Sequence, residues 1–155
     1  MKKIFQTAAC LSVLFLIGCR GTDFKNIYIQ EIDIALSESV PNDVGINLKD
    51  QQISAEEFSD IAIAVNEKGF IVATPKNGAI GIYLRTLVQY GAEELQNSLE
   101  ECLLRENELL PGSKPVTSEG DAFCWKTTNN IYLVVIKRFV LEENDIKITI
   151  QYISY

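Results

Sequence analysis

Four cysteines and no histidine define the chemistry open to this 155-residue chain. Without histidine, the Ser-His-Asp and Cys-His arrangements are missing, and with them the commonest general base and metal ligand. The familiar hydrolases are thereby excluded. Two cysteines alone, Cys102 and Cys124, cannot build a structural zinc site. Gly78-Ala79-Ile80-Gly81 approaches a phosphate-cradling glycine loop but lacks its spacing and its Lys-Ser/Thr partner. What remains is a pair of carboxylates, since Glu31 and Asp33 would share one face of a regular strand. No apolar pocket is legible around them to drive their pKa values apart, so they read as a solvated strand face. Asp43, Asp50 and the acidic turn Glu142 to Asp145 lack the EF-hand spacing. The expectation is no catalytic residue, no metal and no cofactor.

Cys19 points to different chemistry. Met1-Lys2-Lys3 opens the chain, and Ile4 to Ile17 is apolar apart from Gln6, Thr7 and Ser12. This is the layout of an export signal, shorter than the roughly 20 apolar residues of a spanning helix. The four residues Leu16-Ile17-Gly18-Cys19 that close it resemble the lipobox of bacterial lipoproteins. The resemblance implies diacylglycerol on Cys19, cleavage after Gly18 and an acylated (palmitate-type) amino terminus. Arg20 stands where an Asp would signal inner-membrane retention. In a Gram-negative cell this implies an outer-membrane anchor on the periplasmic face, and otherwise the extracytoplasmic face of the cell membrane. Several acyl chains suffice for stable anchoring, at about 0.8 kcal/mol per buried CH₂.

The expected organisation is a removed signal peptide over 1–18, a lipidated short tether over 19–25 and a single globular domain over 26–155. The processed chain has 137 residues, enough for one real core. It keeps twelve Lys and Arg against twenty-one Asp and Glu, a net of −9. That sign repels anionic lipid and disfavours nucleic acid. Anchoring falls to the lipid on Cys19. Cys10 leaves with the signal, so Cys102 and Cys124 remain, either as one disulfide in an oxidising compartment or as two buried thiols.

The pattern predicts an α+β domain with an antiparallel sheet. A bulged strand is expected over Phe24 to Leu36, slipping near Gln30-Glu31, followed by a long loop over 37–52. Ser54-Ala55-Glu56-Glu57 fits a capping box for a helical turn at 54–59. A hairpin is expected from Ile61 to Thr74, with Gly69 left-handed. Apolar residues at helical spacing predict helices over about 79–90 and 92–110, although Ile80, Ile82 and Leu84 also suit a strand. Leu95, Leu99, Cys102 and Leu103 share a face of the second helix, away from Glu93, Glu94, Glu100 and Glu101. Phe123-Cys124-Trp125, Ile131 to Leu141 and Ile146 to Ile153 read as a C-terminal three-stranded meander. Two helices followed by a meander loosely resemble the small lipoprotein subunit of the outer-membrane β-barrel assembly machine, without that family's Gly-Met-Thr signature.

For function, these residues favour a non-enzymatic, protein-binding envelope lipoprotein such as an assembly accessory, a pilotin-like factor or an immunity protein. The alternative is a carrier of a small apolar ligand or lipid. Trp125, Glu93, Glu100 and Glu101 are the candidates for touching an envelope partner.

Overall fold

The computed structural model describes residues 29–37, 43–55, 58–142 and 145–154. Cys19 with its signal and tether, and Glu56-Glu57 of the capping box, lie outside the described residues. Among the described residues, ten strands and one α-helix follow in order: β1 (Gln30–Ser37), β2 (Val44–Asn47), β3 (Gln52–Ser54), β4 (Ile61–Val65), β5 (Ile71–Pro75), β6 (Ile80–Thr86), α1 (Ala92–Leu104), β7 (Lys114–Pro115), β8 (Asp121–Lys126), β9 (Ile131–Leu141) and β10 (Asp145–Ser154). All pairings are antiparallel. One sheet has the order β1-β10-β9-β8-β6 and the other β3-β2-β4-β5-β7. Among the described residues the fold is mostly sheet with a single α-helix, α+β in the broad sense.

Two separate apolar clusters define three layers. Ile32, Ile34 and Leu36 of β1 meet Ile46, Ile61, Ile63 and Ile71 of the second sheet, with Phe123, Trp125, Tyr132 and Tyr152 closing the space. On the other side of the first sheet, Leu95, Leu99 and Cys102 of α1 pack on Cys124, Leu133, Val135 and Ile153. This explains why β9 is apolar on both faces. Tyr132, Val134 and Ile136 point between the sheets, while Ile131, Leu133 and Val135 lie under the helix layer. β10 alternates more simply: Ile146, Ile148 and Ile150 are buried, and Lys147 is exposed. Each fully buried Leu or Ile contributes about 1.5–3 kcal/mol through lost water contact.

The sequence between Ile80 and Leu87 forms a strand, not a helix. β6 pairs with β8 from Ile80 opposite Lys126 to Thr86 opposite Asp121, with a slip between Tyr83 and Arg85 that leaves Leu84 as an extra residue. That bulge puts Leu84 and Leu87 in the same cluster as Ile80 and Ile82, mimicking helical periodicity. Gly81 decides the outcome. A Cβ there would lie 2.3 Å from the Trp125 ring, so the Trp125 ring lies against a strand that is bare at this point. Without the first helix, the order compared with the assembly-machine subunit does not hold.

Three further expectations are corrected. The 37–52 stretch is not one loop: β2 and β3 form a hairpin whose turn is held by Asn47, which accepts from the Asp50 amide at 2.8 Å. Ile46 and Leu48 are buried there. α1 ends at Leu104, where the Arg105 amide caps onto the Glu101 carbonyl, and a 3-10 turn over Glu106–Glu108 follows. Gly91 is the N-cap of α1. β1 runs in unbroken register with β10 from Gln30 to Ser37, and the 24–28 part of the expected strand lies outside the described residues. The slip near it falls instead between Thr149 and Ile150 of the β10–β9 pair, leaving Lys137 as the extra residue. At 54–59 a single turn is visible, the Phe58 amide donating to the Ala55 carbonyl. The 61–74 hairpin has the expected form, with Gly69 at φ +79°.

Candidate functional site

Cys102 of α1 and Cys124 of β8 are joined, with Sγ atoms 2.06 Å apart and Cα atoms 5.4 Å apart. Both are fully buried. The bond fastens the helix to the central sheet and offers no reactive thiol. Trp125, a partner-contact candidate by sequence, is also fully buried and lies between the sheets. It serves packing and presents no surface to a partner. Glu93 and Glu100 are exposed on α1, whereas Glu101 is half-buried. Arg85 reaches across from β6 to Glu94 at 3.1 Å and Glu101 at 3.3 Å, and its guanidinium also donates to Ser98. These contacts neutralise part of the helix and hold it in place, so the acidic face is less open than its composition implies.

A buried carboxylate that the sequence does not advertise sits at Asp121. Its oxygens accept from the Thr117 amide at 2.7 Å, the Thr117 hydroxyl at 2.8 Å, the Ser118 amide at 3.1 Å and the Thr86 hydroxyl at 3.0 Å. Burial alone would push Asp121 up, but these donors hold it below the usual carboxylate range. Its role is structural. It ties the 117–120 turn to β6, beside Gly120 at φ +87°, where a Cβ would meet the Leu87 carbonyl at 2.2 Å. Thr117, Ser118 and Asp121 are close in sequence, and a Ser/Thr-rich turn before an acid is the one available clue. Thr86 lies 35 positions away.

The face best placed to meet another molecule is the half of the first sheet that α1 leaves bare. Register puts Asp33, Thr149 and Arg138 in one cross-strand row, and Ala35, Lys147 and Val140 in the next. Together they line an open groove of about 380 Å³. The Thr149 hydroxyl donates to Asp33 at 2.6 Å. Lys147 donates to both oxygens of Glu142, at 2.9 and 2.8 Å, and Lys137 pairs with Glu31. The Arg138 side chain makes no hydrogen bond or ion pair with the described residues, leaving five donors open to solvent or a ligand. The bulge at Lys137 creates this arrangement. It reverses the phase of β9, so that Phe139 turns in against the core while Arg138 and Val140 turn out.

Glu31 and Asp33 therefore do share the outer face, but one is held by a lysine and the other by a hydroxyl. Neither is enclosed, and the pair is placed to bind and orient polar groups. Among the described residues, no cluster of three or more His, Cys, Asp or Glu could hold a metal, and no helix is long and apolar enough to cross a membrane. Comparison with known protein families, characterised proteins and solved structures finds no match for the chain.

Proposed function

We propose that the chain is a lipid-anchored envelope protein, held through Cys19 on the periplasmic face of an outer membrane, that works without catalysis by binding another envelope protein. An assembly accessory, a pilotin-like factor and an immunity protein all fit this description. The observation that carries the reading is the bare half-face of the first sheet, with its groove and the open guanidinium of Arg138. A C-terminal meander of β8, β9 and β10, backed by the second sheet and with α1 fastened beside the groove by the Cys102–Cys124 bond, is the platform for that face.

The anchor and the binding role are tested separately. Cys19→Ser should abolish acyl labelling and leave the chain uncleaved at this site; unchanged labelling refutes the anchor. Pull-down from detergent-solubilised envelopes should yield a stoichiometric protein partner. Recovery of lipid in the purified domain, with no protein partner, would sink the reading.

A further inference from the structure

We infer that β1 is a docking edge, extended by one antiparallel strand contributed by an envelope protein whose segment alternates apolar and basic residues. The inference rests on the protein-binding reading above and names the chemistry of the partner.

β1 pairs with β10 along one side for all eight of its residues, and no described strand pairs with its other side. A sheet edge is a row of open N–H and C=O groups, and folded chains normally blunt it by brevity, bulges or a covering segment. The other edges here are blunted in those ways. β3 has three residues and β7 two. β6 carries the bulge at Leu84, and Gly81 exchanges two hydrogen bonds with Leu110, at 3.0 and 3.3 Å. Among the described edge strands, β1 alone is long, unbulged and free of proline.

Side chains set what the edge accepts. A strand added in register places its residues about 4.5–5.5 Å, Cβ to Cβ, from their opposites on β1. On the inner side these are Ile32 and Ile34, which continue the inter-sheet core and call for apolar partners. On the outer side they are Glu31 and Asp33, both exposed. Lys137 reaches from β9 to pair with Glu31, while Lys147 and Arg138 stand on β10 and β9, about 10 Å or more from the added strand at the usual strand spacing. That is about one Debye length at 0.1 M salt. The field met by an incoming strand is therefore that of β1 itself, where, among the described residues, Asp33 accepts only from the Thr149 hydroxyl and keeps its charge uncompensated, which favours Lys or Arg opposite it. A second copy of β1 would bring four carboxylates onto one strand pair, so self-pairing is disfavoured. A lipidated Cys19 is eleven residues from Gln30, a reach of at most about 40 Å, which places the partner segment near the membrane.

The probe is a capped eight-residue peptide alternating lysine and valine, added at low ionic strength to the processed chain in detergent. Amide hydrogen exchange should slow along Gln30–Ser37. Glu31→Lys with Asp33→Lys should weaken binding about tenfold, by summed cross-strand pairs, and Glu31→Gln with Asp33→Asn should weaken it less. A glutamate-valine peptide should prefer the lysine variant. A lysine-valine peptide N-methylated along its pairing edge should not bind. No binding of the first peptide, equal binding of the methylated one, or protection outside β1 each overturns the inference. An envelope partner captured equally well by the wild type and the lysine variant would remove β1 as the edge while leaving the protein-binding reading intact.

Discussion

Separating the Cys102–Cys124 cross-link from its surroundings tests whether the helix layer is held by covalent restraint or by packing. The bond closes a loop of 22 residues. Chain entropy removed from the unfolded state is then about 11 cal/mol/K, or about 3 kcal/mol at 25 °C. A domain of this size has an unfolding entropy of about 0.27 kcal/mol/K, so the loss corresponds to a fall in Tm of about 11 °C. Three proteins divide the effect: the oxidised form, the reduced form prepared by unfolding and refolding with reductant, and the Cys102→Ala, Cys124→Ala double variant. The reduced form keeps both sulfurs, so its difference from the oxidised form isolates the cross-link. The step from reduced to alanine reports packing at two fully buried positions, about 1 kcal/mol or more. Urea unfolding followed by circular dichroism measures all three. A difference below about 1 kcal/mol between oxidised and reduced forms would refute the entropy argument, leaving Leu95 and Leu99 as the real fastening of α1.

Other outcomes follow from single residues. Asp121→Ala removes the acceptor for the Thr117 and Ser118 amides and the Thr86 hydroxyl, and should cost about 2–4 kcal/mol in denaturant titration. Asp121 is held below its ordinary pKa, so its stabilisation is present above the unfolded-state pKa and is lost as pH falls through the folded one. The Asp121→Asn variant should accordingly show a shallower loss of stability in acid than the wild type. Tyr152, pushed up to about 12 by burial first and then by Tyr132 and Asp60, works at the opposite end. Its contribution is full below about pH 10 and is lost as pH rises toward 12, and Tyr152→Phe should remove that alkaline step in a pH-dependent unfolding series. The Tyr152 hydroxyl is buried with no hydrogen-bond partner among the described residues, so the same substitution at neutral pH should be near neutral or stabilising. Gly81→Val should be severely destabilising in thermal melts, because its side chain would meet the Trp125 ring at 2.3 Å and the Cys124 carbonyl at 2.8 Å.

Where one face of an element is wet and the other dry, its form is legible in the residue pattern alone. Ile146, Ile148 and Ile150 alternate with Lys147 and Thr149, and Leu95, Leu99 and Cys102 recur at helical spacing, so β10 and α1 declare both their type and their buried side. The Cys102–Cys124 pairing is legible for the same reason, since the helix face turns Cys102 toward the sheet. β6 misleads because a bulge at Leu84 brings Ile80, Ile82, Leu84 and Leu87 to one side, and no local signal separates that from a helix. The β2–β3 hairpin hides among Asn, Asp and Gly because Ile46 and Leu48 gain their burial from residues far along the chain. Trp125 is ambiguous between core and surface until Gly81, distant in the chain, supplies the gap beside it. The open groove is least legible, since Asp33 meets Thr149 across 116 positions, and Arg138 faces outward only because Lys137 bulges.

The pairing of Gln30 with Tyr152 also sets a schedule for folding. β1 is made early but has no strand of its own sheet to join until β10 has been synthesised, so the first sheet cannot be completed before that late segment is free. Such distant pairing belongs to the slow regime of small-domain folding, milliseconds to seconds. Until β10 is made, β1 stays single.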